Sequence, residues 1–147
     1  MKKNQTLLFL ILVTNTVFAQ QVVVNKENAT KKAFFGDFMD DYDIRYSIND
    51  SLWTQFPKAK YHVIKWNVEK QYIITKNDAN NTSDKNLYTR IDYMTFENMP
   101  PYNWGFCLTT YDAQTSDAAE AVEKADRTNP RKGCNGFPFS RMKKVEK

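Results

Sequence analysis

Few residues in this chain have the type and spacing to do chemistry. His62 is the one histidine, and histidine is the side chain whose ordinary pKa lies near neutral. It stands in Lys60-Tyr61-His62-Val63-Ile64-Lys65-Trp66, alternating with Ile64 and Trp66, with no Asp or Glu on its own face. A general base or a metal ligand needs a partner set, so the segment predicts a histidine in the core or at its rim. A hydrolase built on His62 would need a carboxylate that the spacing does not place. Asp78 to Asp84 (DANNTSD) carries oxygens suited to calcium, but it lacks the glycine and terminal glutamate of an EF-hand loop. The chain contains no nucleophile-His-Asp spacing, no glycine-rich phosphate loop, no HExxH and no Cys/His zinc pattern. The sequence therefore predicts no catalytic set, no metal and no cofactor.

Three further features carry charge or sulfur. Arg90 and Asp92 are a candidate charged pair within LYTRIDYMTF, residues 87–96. That stretch has two faces, Leu87/Thr89/Ile91/Tyr93 and Tyr88/Arg90/Asp92/Met94/Phe96. If the first faces the core, Arg90 and Asp92 are surface charges worth about 0–1 kcal/mol as a pair. If the second does, a charged pair is buried among aromatics at considerable desolvation cost. The surface arrangement is the expectation. Arg141 shares a face with Phe137 and Phe139, and is expected to stack on an aromatic ring and close one end of a sheet or barrel. Cys107 and Cys134 are the only cysteines; in an exported chain they are expected to pair.

Residues 1–19 read as a secretory signal: basic Lys2 and Lys3, the apolar run Leu7 to Val13, and small residues at Val17 and Ala19, with cleavage after Ala19. The apolar run is too short for a transmembrane anchor, which needs about 20 residues. The location predicted is secreted or periplasmic. The formal net charge is +4, and two of those charges, Lys2 and Lys3, leave with the signal. A mature chain so near neutrality does not predict nucleic-acid binding, which rests on a clustered basic field. The basic residues after the last strand, Arg141 to Lys144, read as a solvated end.

The elements that must position these residues are mostly strands. Beyond residue 19 the leucines are Leu52, Leu87 and Leu108, against a chain rich in Tyr (8) and Phe (10), which suits a pleated surface better than a helical bundle. Residues 20–41 read as a flexible N-terminal segment ending in at most a turn of helix near Gly36, and 42–147 as a single β-rich domain. Tyr42, Ile44, Tyr46 and Ile48 alternate with polar residues as a strand. Residues 49–57 read as a loop exposing Trp53 and Phe56. KYHVIKW and QYIITK form a hairpin across Asn67–Lys70. Residues 77–86 read as an exposed polar loop, and Leu87 to Phe96 and Trp104 to Tyr111 as further strands. In SDAAEAVEKADR, Ala118, Val122 and Ala125 share a helical face, with Ser116 or Asp117 as cap and Glu120 in a capping box. Gly133 and Gly136 turn the chain back, and FPFSRM runs as a closing strand, either an edge strand or one starting at the sheet margin because of Pro138. The predicted fold is mainly β (α+β): an antiparallel meander of about five strands, curved or barrel-like, then one helix and a closing strand.

That order of elements resembles the lipocalin and wider calycin barrels. Gly36-Asp37-Phe38 is similar to their Gly-x-Trp start, and Arg90-Ile91-Asp92-Tyr93 to their Thr-Asp-Tyr segment. The resemblance implies a curved sheet around an apolar pocket and a binding protein, not an enzyme. The ligand expected is a small apolar or aromatic molecule, lined by Tyr46, Trp66, Tyr72, Tyr93 and Trp104, although aromatic rings are also ordinary core material. The alternative is a protein-interaction module or inhibitor acting through loops 49–57 and 77–86, with Trp53 and Phe56 as anchors.

Overall fold

A computed structural model of the chain describes residues 20–145; the signal segment at 1–19 lies outside the described residues. Residues 20–32 are helical (α1), so this stretch holds more than the single turn expected of it. Phe34–Lys147 is a separate compact unit. It contains eight strands: β1 (Gly36–Asp40), β2 (Arg45–Ile48), β3 (Leu52–Gln55), β4 (Ala59–Asn67), β5 (Tyr72–Asn77), β6 (Tyr88–Thr95), β7 (Tyr102–Ala113) and β8 (Ser140–Lys144), with one short helix, α2 (Ser116–Ala121), before the last. Each strand pairs antiparallel with its neighbour, and β8 pairs with both β7 and β1, closing the barrel. The class is the mainly β, barrel-like meander with a closing strand that the sequence predicts. There are eight strands where the sequence predicts about five and a closing one.

The extra strands are short ones. β1 falls in the stretch read as a flexible segment, and Phe38 points its ring inward opposite Tyr46. β3 replaces the expected loop at 49–57, with Trp53 opposite Tyr61 and Ile48. Trp53 is therefore not exposed: 1% of its surface reaches solvent, against 4% for Trp104 and 9% for Trp66. Acrylamide quenching of single-tryptophan variants is expected to rank Trp53 the best protected of the three; a fast-quenched Trp53 would place residues 52–55 outside the sheet. The strand expected at 42–48 begins only at Arg45. Residues 41–44 are a turn, because the Asp40 carboxylate accepts from the backbone N–H of Tyr42 and of Ile44, both at 2.9 Å.

The interior is a lattice of rings. Phe34, Phe38, Tyr46, Trp53, Trp66, Tyr93, Trp104 and Phe106 form one core with Ile48, Ile73, Ile91 and Met142. Edge-to-face contacts run from Phe38 to Trp104 (5.2 Å between ring centres), Trp53 to Phe106 (5.1 Å) and Tyr46 to Phe106 (5.4 Å). Such geometry matches the ring quadrupoles. In β4 a bulge between Val63 and Lys65 shifts the register. It turns Trp66 inward while His62 and Ile64 stay outside, so His62 is an outer-face residue and not part of the core.

The crossing from β7 to β8 lies on the outer face of the sheet. Thr115, not Ser116 or Asp117, caps α2 by accepting from Ala118 N–H at 3.1 Å. The helix stops after six residues, with Val122 already extended at ψ 143. Ala119, rather than Ala118 or Val122, is the buried residue, packed on Tyr72 and Ile74. Ala125 is buried from the extended segment beyond, against Phe139 and Cys107. Two glycines make the return possible. A Cβ at Gly133 would sit 1.8 Å from the Asp126 carbonyl oxygen, and Gly136 has φ +88, a conformation open to glycine at little cost. β8 then starts at Ser140, after Pro138, and pairs on both sides, with β7 and β1; it is the strand starting at the sheet margin and not an edge strand. Phe137 is exposed and Phe139 buried, and Met142, between the exposed Arg141 and the half-buried Lys143, is fully buried.

Candidate functional site

The charged pair on β6 has neither a purely surface setting nor an interior one. Thr89, Ile91 and Tyr93 do face the barrel core, yet Arg90 and Asp92 on the other face are buried too, because the segment 115–127 covers them. Asp92 is 0% exposed. Its carboxylate accepts from Arg90 Nε at 2.9 Å and Nη2 at 3.1 Å, from Arg127 Nη2 at 3.0 Å, and from the Thr109 hydroxyl in a short bond. Arg90 also donates to the carbonyls of Glu120 (2.7 Å) and Val122 (3.1 Å) at the end of α2 and stacks over the Tyr72 ring at 4.4 Å. Carbonyls at a helix C-terminus have no partners within the helix and carry partial negative charge. Arg127 donates to the carbonyls of Tyr93, Lys70 and Gln71. The cluster is a clasp between the crossing segment and the sheet, and its donors point at protein acceptors. Sequence reasoning missed Arg127 and Thr109, since their approach to Asp92 is set by the crossing and by the β6–β7 pairing.

His62 has the carboxylate that its own strand lacks. β4–β5 pairing sets His62 opposite Lys76, and Asp78 Oδ2 reaches its Nε2 at 2.6 Å. The bond from His62, and after it the N–H of Asn80, pulls the Asp78 carboxyl down to about 2. The His62 side chain is 54% exposed. With Asn81, which is buried and bonded to both the N–H and the C=O of Lys60, the pair holds the 78–87 loop against β4. That loop is thus tied down, not wholly exposed. Among the described residues no three His, Cys, Asp or Glu converge as metal ligands. Glu120, expected in a capping box, instead accepts from Lys65 Nζ at 2.6 Å and from the Tyr72 hydroxyl in a short bond; these bonds hold its carboxyl below the usual range.

Of the five aromatics expected to line a pocket, Tyr46, Trp66, Tyr93 and Trp104 meet in the ring lattice. Tyr72 lies on the other face of the sheet, beneath α2. Tyr46 also reaches the wall of a cup at the barrel rim. Its phenol donates to Asp40 Oδ2 at 2.9 Å, and burial, then that bond, raise its pKa well above the ordinary value. The cup has a volume of about 350 Å³ and is walled by Ile44, Tyr46, Phe106, Leu108, Phe137 and Pro138, with the Cys107–Cys134 disulfide at its side. It exists because β8 begins only opposite Phe106, which leaves the upper part of β7 unpaired on that side. Phe137, 71% exposed, and Tyr42 stand at its margin.

Arg141 stacks as expected, its guanidinium 4.8 Å from the Tyr102 ring centre, and Asp41 accepts from its Nε at 2.8 Å. Of the two expected loop anchors, Phe56 is exposed and Trp53 is not. No helix among the described residues is long and apolar enough to cross a membrane. The closed eight-stranded antiparallel barrel with one short outer helix agrees with a lipocalin- or calycin-like barrel at the level of architecture. The chain has no significant match to a protein-family model, to a curated protein or to a solved structure.

Proposed function

We propose that this is an exported, non-enzymatic binding protein of lipocalin-like build, which holds a small apolar or aromatic molecule at the mouth of its barrel. The observation that carries the reading is the rim cup. Its size is in the range of small-molecule sites, and its walls are mostly apolar side chains, with Asp40, Gln55 and Ser140 as polar groups among them. The five aromatics expected to line an inner pocket are, Tyr46 excepted, committed to one another or to α2, which moves the site from the interior to the rim. An exposed phenylalanine beside such a cup leaves apolar surface in water that a guest would cover. The disulfide supports an oxidising compartment.

The test is titration with a neutral, fluorescent apolar probe, N-phenyl-1-naphthylamine. One saturable site is expected, displaced by small neutral aromatics. Leu108→Glu, which sets a charge in the cup wall, and Phe137→Ala, which removes a wall, should each weaken binding by about tenfold or more. His62→Ala should leave it unchanged. Absence of saturable binding, or binding indifferent to both wall variants, would defeat the reading and favour a protein partner at the exposed aromatics.

A further inference from the structure

On the outer side of the same rim lies a second hollow of about 460 Å³, formed by Tyr42, Phe96, Met99, Pro130, Pro138 and Phe139, together with Asp41, Arg131 and Arg141. Its walls are held in place. Phe139 N–H donates to the Pro130 carbonyl at 2.9 Å, Tyr102 N–H to the Met99 carbonyl at 2.8 Å, and Asp41 accepts from both the backbone N–H and Nε of Arg141 at 3.0 and 2.8 Å. The charges do not balance. Asp41 is spent on Arg141, while Arg131 is exposed and has no ion-pair partner among the described residues. Arg141 uses Nε on Asp41, and among the described residues its Nη groups meet no acceptor. A hollow with ring, proline and thioether walls therefore carries one uncompensated guanidinium and the free edge of another.

We infer that this groove is a binding site for an aromatic monoanion, such as an arene carboxylate, separate from the rim cup. The flat body lies against Tyr42, Met99 and the prolines, and the anionic head pairs with Arg131, with the Nη edge of Arg141 beside it. A guanidinium offers paired N–H donors in one plane, the geometry that a carboxylate accepts best. Aromatic and proline faces accept a planar ring with little loss of conformational freedom, because they are themselves stiff. A neutral ring would gain only the apolar part. An anion without a ring would gain only an exposed ion pair, which is worth little. The two halves of the groove thus select for both features in one molecule.

The experiment uses 2-naphthoate and its neutral counterpart 2-naphthamide, titrated by calorimetry against the disulfide-bonded protein. 2-Naphthoate should bind at one saturable site, about threefold more tightly than 2-naphthamide, and added salt should weaken it. Arg131→Ala should remove that preference, and Arg131→Lys should restore part of it. Arg131 is exposed, so circular dichroism and melting should show both variants folded. Phe137→Ala, an exposed residue in the wall of the rim cup, should leave 2-naphthoate binding intact even where it weakens binding of the neutral probe; the two sites thereby stand or fall separately. Equal affinity for the two naphthalenes, full binding by Arg131→Ala, loss of 2-naphthoate binding in Phe137→Ala, or no saturable binding would each overturn the assignment.

Discussion

Asp92→Ala is expected to destabilise the barrel by about 3–5 kcal/mol, the range seen when one partner of a buried ion pair is removed. The reason lies in what remains. Arg90 would keep its place under α2 with Nε and Nη2 facing an empty site, Arg127 Nη2 would lose its carboxylate and keep only the carbonyls of Lys70 and Gln71, and Thr109 would lose the carboxylate its hydroxyl donates to. Two guanidiniums would then repel across a site that water does not reach. At roughly 4 °C per kcal/mol for a domain of this size, the melting temperature should fall by about 12–20 °C. Asp92→Asn keeps the volume and one acceptor but turns an N–H₂ toward the arginines, so it too should lose stability. Arg90→Met together with Asp92→Ala should cost less than the sum of the single changes, because the second substitution removes the charge that the first stranded. A loss below 1 kcal/mol for Asp92→Ala would mean that the pair behaves like a surface ion pair.

The contrast between that site and its sequence shows where local pattern ends. Along β6 the alternation is clean, and it places Ile91 and Tyr93 in the core as read. It offers no way to see that the opposite face is covered too, because the cover comes from Glu120, Ala125 and Arg127, and nothing in residues 87–96 encodes their return. The same limit hid the His62–Asp78 pair, which strand pairing across a hairpin creates. The long strands β4 to β7 were legible because eight or so alternating residues between turn formers leave few other solutions. β1 and β3 were not, since four or five residues with one large inward side chain, Phe38 or Trp53, look the same as a loop. The bulge at Ile64 reverses the face of everything after it, so Trp66 and His62 cannot be placed on one face by counting in twos. Tyr72 illustrates the related ambiguity of an aromatic between two covered faces. The rim cup and the outer groove were least legible of all. Both take walls from the β1–β2 turn and the return segment, the cup adding β7 and the groove adding Phe96 and Met99 after β6 and Arg141 of β8, places that only closure of the barrel brings together.

Reduction of the Cys107–Cys134 disulfide is the second large effect expected. The cysteines are 27 positions apart with Cα atoms at 5.4 Å, and a cross-link over a loop of that length stabilises by about 3–4 kcal/mol through the entropy it removes from the unfolded chain. In this fold the bond also ties the return segment to the middle of β7. Apart from it, residues 134–138 are held by the mutual backbone bonds of Cys134 and Phe137, by Gly136 N–H to the Lys132 carbonyl, and by Asn135 Nδ2 to the Thr109 carbonyl. Thiol titration of native and of denatured protein should find no free thiol, and reduction should lower the melting temperature by more than about 10 °C. Cys134→Ser with Cys107→Ala should reproduce the loss without a reductant. Because Phe137 and Pro138 form one wall of the rim cup, reduced protein kept well below its new melting temperature should also bind the neutral probe more weakly. The outer groove shares Tyr42 and Pro138 with the cup but takes its charge from Arg131, so affinity for an aromatic anion should fall less. Two free thiols in freshly isolated protein, or a melting temperature indifferent to reduction, would show that the return segment is held by packing and hydrogen bonds alone.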